Sequence, residues 1–176
     1  DLYQTVQFNH NFNPEAECDN FFQFLEDIGL SEKTVMSLQE WFGYIMYPDT
    51  PIQQCLFLFG EGANGKSTIS EVMKEIIGEE NTCSLEPNEF TRFSKADLDG
   101  KLLNLCTDLS TRSTWEGFFK KVVSGEAIQA ERKYQKSFWI KPFAKHVFSS
   151  NNYMPTKDRT LGFFRRFFFI EFFKTI

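Results

Sequence analysis

The chain has 176 residues, 41% hydrophobic and 24% charged, which excludes disorder and fits one globular domain or one domain with a small appendage. Twenty-two phenylalanines against five tyrosines and three tryptophans predict a core rich in aromatic rings. The net charge of −5 excludes indiscriminate binding of nucleic acid over the whole surface.

The first predicted element is a helix over residues 13–29, with Asn13 as cap, Pro14 at its first position and Gly29 as terminator. Phe21, Phe24, Leu25 and Ile28 fall at i, i+3, i+4 and i+7. A second helix starts after Ser31, lines one face with Val35, Leu38, Phe42 and Ile45, and stops at Pro48. The period then changes. Residues 55–59, CLFLF, form a short apolar run as expected of a strand buried on both faces. A Gly-rich turn comes next at 60–65, then a helix from Ser67 to Ile77 closed by Gly78. A buried strand is expected at 101–107, a helix at 116–124, a β-hairpin at 128–140 and core strands at 146–150 and 167–172. Strands alternating with helices predict an α/β fold with a mainly parallel sheet, built on residues 51–176 behind a short α-helical segment at 1–50.

The four cysteines form no CxxC pair and His10 and His146 stand apart, so neither a disulfide framework nor a zinc site is expected. No run of 18 apolar residues predicts a membrane span. With no signal peptide and Asp1 in place of Met, the expectation is a piece of a longer intracellular protein. Charge is unevenly spread. Residues 120–145 carry seven bases (Lys120, Lys121, Arg132, Lys133, Lys136, Lys141, Lys145) against two acids, a net of +5, which leaves −10 elsewhere. Residues 1–50 hold nine acids and one base. This polarity predicts that nucleic acid would meet one face only.

The strongest motif is GEGANGKS at 60–67, which fits G-x-x-x-x-G-K-[ST] between a buried strand and a helix. Gly60, Gly62 and Gly65 allow close backbone approach, so that the amides of Glu61, Ala63 and Asn64 and the helix N-terminus through Thr68 can cradle phosphates. Lys66 would reach the β- and γ-phosphates of ATP, and Ser67 would ligate Mg²⁺. Asp108 comes after the next buried strand, where an acid could hold Mg²⁺ and polarise water. Asn151 and Asn152 come after the third, where a polar group could contact the γ-phosphate, although turn chemistry also favours Asn there. Arg165 and Arg166 precede the last strand, either as an arginine finger for a neighbouring subunit or as charges guarding a sheet edge.

Taken in order, NPEAECDNFFQFL, LQEWFGYIM, CLFLFGEGANGKST, FKKVVSGEAIQAERKYQKSFWIKPFAKHVFSSNNYMP and FFRRFFFIEF resemble the phage and plasmid primase-helicase family. These are superfamily 3 helicases, AAA+-like P-loop NTPases related to poxvirus primase-helicases. The resemblance implies an ATP- and Mg²⁺-dependent motor. Such a motor forms a homo-oligomeric, hexameric ring that translocates on single-stranded or forked DNA, in a bacterial cytoplasm or encoded by a virus or plasmid. It implies that Gly60–Thr68 is the Walker A loop and Asp108 the Walker B acid, with Thr107 standing where the family often has a second acid. It also implies a channel-facing hairpin bearing Arg132, Lys133 and Lys136, and an arginine pair at Arg165 and Arg166. The family's N-x-x-P spacing favours Asn152, before Pro155, as sensor; strand register favours Asn151. Tyr134, Phe138 and Trp139 could stack on bases or belong to the core. Asp97 and Asp99 read as loop residues, so no primer synthesis is expected. Two other readings stand beside the motor: a P-loop kinase of nucleotides or small molecules, and an ATP-binding replication adaptor without turnover.

Overall fold

The computed structural model describes residues 6–91, 93–109, 117–153, 156 and 158–175. In chain order the regular elements are α1 (Asp19–Asp27), α2 (Glu32–Met46), β1 (Cys55–Phe59), α3 (Lys66–Ile77), β2 (Thr82–Cys83), β3 (Leu103–Cys106), α4 (Gly117–Val123), β4 (Ile128–Ala130), β5 (Phe138–Ile140), β6 (Lys145–Ser150), α5 (Leu161–Phe164) and β7 (Phe167–Glu171).

The α/β expectation holds. Five strands pair in the order β2-β3-β6-β1-β7, and every pairing in that sheet is parallel. Alternate residues of β1 serve opposite faces. Leu56 and Leu58 join the side chains of α1, α2 and α3, among them Leu25, Leu38, Ile69 and Met73. Cys55 and Phe57 join Phe119 and Val122 of α4, Ile128 and Ala130 of β4, and Ile140 of β5. Helices thus cover one face, and α4 with a small antiparallel hairpin covers the other. That explains why the central strands carry unbroken apolar runs. Each large side chain buried this way contributes about 1.5–3 kcal/mol.

Two sequence expectations need correction. The first helix begins at Asp19, not at 13. Asn13 instead caps an isolated turn, accepting from the Glu15 amide at 3.1 Å. Residues 13–18 are exposed and offer the core no apolar side chain, so nothing offsets the cost of extending the helix. Its end is as expected: Gly29 sits at φ 78°, its amide bonds Glu26 O at 2.8 Å, and the Leu30 amide bonds Leu25 O at 3.2 Å, the paired closure of a Schellman motif. The strand expected over 101–107 is confined to Leu103–Cys106, because Lys101 and Leu102 bond instead to Leu98 O and Asn81 O. Residue 116 of the expected fourth helix lies outside the described residues.

Candidate functional site

Three parallel strands end side by side. In the register, Phe59 of β1 pairs with Ser150 of β6, and Cys106 of β3 pairs with Phe148 of β6. The loops that leave these three strands therefore gather at one rim. β1 is flanked by β6 on one side and by β7 on the other, which makes this rim a point where strand order reverses. In open parallel sheets such crevices take ligands.

After β1 the chain forms the loop at 60–65 and enters α3. Gly65 has φ 90°, and a Cβ there would lie 2.8 Å from Cζ of Phe24 in α1 and 3.1 Å from Cγ2 of Ile28 just past it. Only glycine serves this position, because the conformation is left-handed and α1 is packed against it. A Cβ at Gly60 would collide with the Phe172 carbonyl. Ala63 also holds a positive φ of 55°. Asn64 is buried; its amide donates to Glu61 O and, at 3.5 Å, to Phe172 O just past β7. The spacing of the motif gave no hint of this tie between loop and last strand.

Lys66 is 6% exposed. Its ammonium donates to Gly60 O at 2.5 Å, to Asn64 Oδ1 at 2.9 Å and to Glu61 O at 3.4 Å. All three acceptors belong to the loop, so a phosphate would replace them by exchange rather than by recruiting a mobile chain. Burial lowers the Lys66 pKa, and the charge of Asp108 acts in the opposite direction.

A cleft of about 340 Å³ lies over the loop, lined by residues 62–68 together with Asp108, Ser149 and Asn151. The P-loop, the acid after β3 and one asparagine after β6 therefore meet on one cavity. Asp108 adopts φ 57°, a left-handed conformation that Asp tolerates better than most residues, and the next amide, Leu109, bonds Ser149 O at 3.1 Å. Asn152 does not line the cleft; its amide bonds Ser150 Oγ at 3.1 Å. Pro155, which the N-x-x-P spacing invokes, lies outside the described residues. For Mg²⁺, which demands hard oxygen ligands and keeps several waters, the Ser67 hydroxyl and the Asp108 carboxylate fit as donors on a common cleft. Among the described residues no group of three or more His, Cys, Asp and Glu gathers as a metal site.

The arginine pair lies at the other end of the sheet. Arg166 O accepts from the Cys55 amide at 2.7 Å, where β1 begins, and five residues of strand separate that point from the loop, about 16 Å at 3.3 Å per residue. The two guanidinium groups differ. Arg166 is buried, bonded to Gly162 O and, at 3.0 Å, to Ser124 Oγ. Burial foremost, and Arg165 next, lower its pKa. Arg165 is exposed and makes one long contact to Gln53 Oε1, 3.5 Å.

The hairpin expected at 128–140 forms, with Ile128, Gln129 and Ala130 opposite Ile140, Trp139 and Phe138. Ile128, Ala130 and Ile140 face the core, while Trp139 is 70% exposed and Tyr134, at φ 65°, is fully exposed. Lys133 and Lys136 are exposed at the connection. Arg132 lies 3.7 Å from Asp99 Oδ2 and 5.0 Å from the Phe138 ring centroid. The basic strip read from sequence is not one surface. Lys145 is 1% exposed, its ammonium bonded to Tyr47 O and to Phe143 O, and burial draws its pKa down to about 8. Lys120 pairs with Asp158. The correction arises from β6, a strand buried throughout, which carries Lys145 inside the molecule.

No helix among the described residues is long and apolar enough to cross a membrane. The fold is shared with the apo C-terminal region of NrS-1, at TM-score 0.63 and 22% identity over 86% of this chain and 36% of that one. JCV helicase, in complex with a thiazolopyridine acetamide, superposes at TM-score 0.57 and 16% identity over 87% of this chain and 46% of that one. The chain spans less than half the length of either, and at these identities the likeness is one of fold. No curated protein matches. The model of the family of unknown function DUF5906 matches residues 58–166, from within β1 through the phosphate loop to the second arginine, and the chain belongs to that family.

Proposed function

We propose that the chain is the ATP-hydrolysing core of a DNA helicase motor, of the AAA+-like superfamily 3 type that serves phage- or plasmid-type replication. The observation that carries this is the convergence of the loop at 60–68, Asp108 and Asn151 on one cleft at the rim of three parallel strands. The fold held in common with the NrS-1 C-terminal region and JCV helicase supports it.

In this reading the loop amides and Lys66 hold the β- and γ-phosphates of ATP. Ser67 and Asp108 would hold Mg²⁺, which when bound would supply charge neutralisation on the phosphate oxygens. Asp108 accepts a hydrogen bond from the attacking water, and Asn151 donates its amide to the γ-phosphate. Arg165, exposed and weakly held, acts as the finger in the site of the next subunit of a ring. Arg166, pinned inside its own subunit, braces α5 against α4. Arg165, at the far end of the sheet from its own loop, can serve hydrolysis only in trans, so this reading calls for a ring, hexameric in the family it resembles. Lys133, Lys136 and Arg132 on the hairpin meet the DNA phosphates, with Tyr134 and Trp139 offering faces to bases.

The test is ATP hydrolysis with and without single-stranded DNA, with product analysis. Free phosphate, released faster with DNA and lost in Lys66→Ala, is the expected result. A phosphorylated acceptor would make the protein a kinase, and tight ATP binding without turnover in the assembled state would make it an adaptor.

A further inference from the structure

Asn151 lines the phosphate cleft from a loop rather than from a strand. A donor on a loop serves a reacting phosphate only if something else fixes the loop. Next in the chain, the Asn152 amide bonds Ser150 Oγ at 3.1 Å. Tyr153 follows, and it is anchored away from its own strand. Its ring stacks on that of Phe59, with centroids 3.9 Å apart and planes 20° from parallel. Its hydroxyl donates to Glu171 Oε1 at 2.8 Å.

The register identifies these two anchors. Phe59 ends β1, paired with Ser150 of β6 on one side and with Glu171 of β7 on the other. It immediately precedes Gly60 of the phosphate loop, and its carbonyl accepts from the Phe172 amide at 2.8 Å. Residues 151–153 thus leave β6, cross the end of β1 and reach β7, a strap over three strands with Asn151 at the cleft. Tyr153 is 61% exposed, so two directed contacts hold it rather than full burial. The bond to the Glu171 carboxylate foremost raises its pKa, which keeps the hydroxyl a donor through neutral pH, and a bond to an ionised acceptor is stronger than a neutral one. The same ring also lines an apolar cavity of about 160 Å³ with Phe57, Phe163 and Phe167, so a purely structural role must be distinguished by experiment.

We infer that Tyr153 is a positioning residue of the nucleotide site: stacked on Phe59 and bonded to Glu171, it holds the loop that carries Asn151 and sets where that amide meets the γ-phosphate. This rests on the ATP-hydrolysing reading above. The sensor amide and the phosphate loop then share one foundation, the end of β1.

The experiment measures steady-state ATP hydrolysis with single-stranded DNA, and ATP binding in a separate titration. It compares the unaltered chain with Tyr153→Ala, Tyr153→Phe, Asn151→Ala and the double variant Asn151→Ala with Tyr153→Ala. Tyr153→Ala is expected to lower kcat by about tenfold to a hundredfold, the scale of a misplaced catalytic group, with the Kd of ATP unchanged. Tyr153→Phe keeps the ring and loses only the bond, so its loss is smaller. Glu171→Leu should match it, and Glu171→Gln, which still accepts, should be close to normal. The double variant should be no slower than Asn151→Ala alone, because a residue that acts through Asn151 then has nothing to position. Losses that multiply in the double variant would mean that Tyr153 acts elsewhere or only supports the fold. ATP binding weakened by Tyr153→Ala would mean that it supports the phosphate loop or touches the nucleotide, and an undiminished kcat would mean that the loop needs no strap. Each of these overturns the proposal. No hydrolysis by the unaltered chain, or none lost in Asn151→Ala, would instead defeat the reading on which the proposal rests, and the proposal with it.

Discussion

Two neighbouring asparagines and two neighbouring arginines separate once their side chains have places. Asn151 shares a cleft with Lys66 and Asp108, and Asn152 does not. A donor aimed at developing charge is worth about 10²–10³ in turnover, so Asn151→Ala is expected to lower kcat on that scale with ATP affinity nearly kept. Asn152→Ala should leave both close to normal. Steady-state hydrolysis with a separate nucleotide-binding titration checks the pair, and the reverse order would assign the sensor to Asn152. The loop at 60–67 was legible in sequence as a turn between a buried strand and a helix, because that shape is set by spacing along the chain. The choice within each pair was not, since it depends on which side chain the fold buries. Arg166 is held by Ser124, 42 positions away, and Gly162, and no local pattern announces that. Lys145 is the same lesson in reverse: counted as surface charge in sequence, it lies inside, anchoring the carbonyl of Tyr47 at the end of α2.

The strands were legible as elements because their apolar runs match their burial, and β6 shows what such burial does to a polar residue. His146 is 1% exposed. Asn104 Nδ2 lies 3.0 Å from His146 Nδ1, and because the same Asn104 accepts from the Leu85 amide and donates to Leu85 O, the ring is held as an acceptor, with its proton on Nε2. Burial, with Lys145 adding to it, pushes its pKa down to about 3, against about 6.5 when unfolded. The unfolded chain therefore binds the extra proton first. This contribution to stability is full above about pH 6.5 and is lost progressively as pH falls from there toward 3. Denaturant unfolding between about pH 7 and 5 should show that decline, and His146→Gln should flatten it; an unchanged slope would contradict the burial. The hairpin of β4 and β5 was legible as a shape, but its exposed Trp139 was not, because alternation was broken by the basic connection. Removing Lys133 and Lys136 together should lessen the salt dependence of single-stranded DNA binding by about 0.7 in log–log slope per residue, measured by titration at several salt concentrations. An unchanged slope would take the hairpin out of contact with DNA.

For the whole molecule, the sheet places the cleft over the phosphate loop at one end and the exposed Arg165 at the other, with β1 and β7 running between them. In the proposed motor such a subunit would be incomplete alone, because its loop would need an arginine that it cannot supply to itself. The helical piece of α1 and α2 is integral to this arrangement, since Phe24 and Ile28 seat against Gly65, something the change of period after residue 50 did not reveal. The most direct measurement mixes two inactive chains, Lys66→Ala and Arg165→Ala, in the presence of ATP, Mg²⁺ and single-stranded DNA. Some interfaces in a mixed ring join an intact loop to an intact arginine, about a quarter at equal ratio. The account predicts that neither chain hydrolyses ATP alone and that mixing restores up to about that fraction of the unaltered rate. Full activity of Arg165→Ala by itself, or no recovery at any mixing ratio while the Arg165→Ala chain still binds ATP, would contradict it.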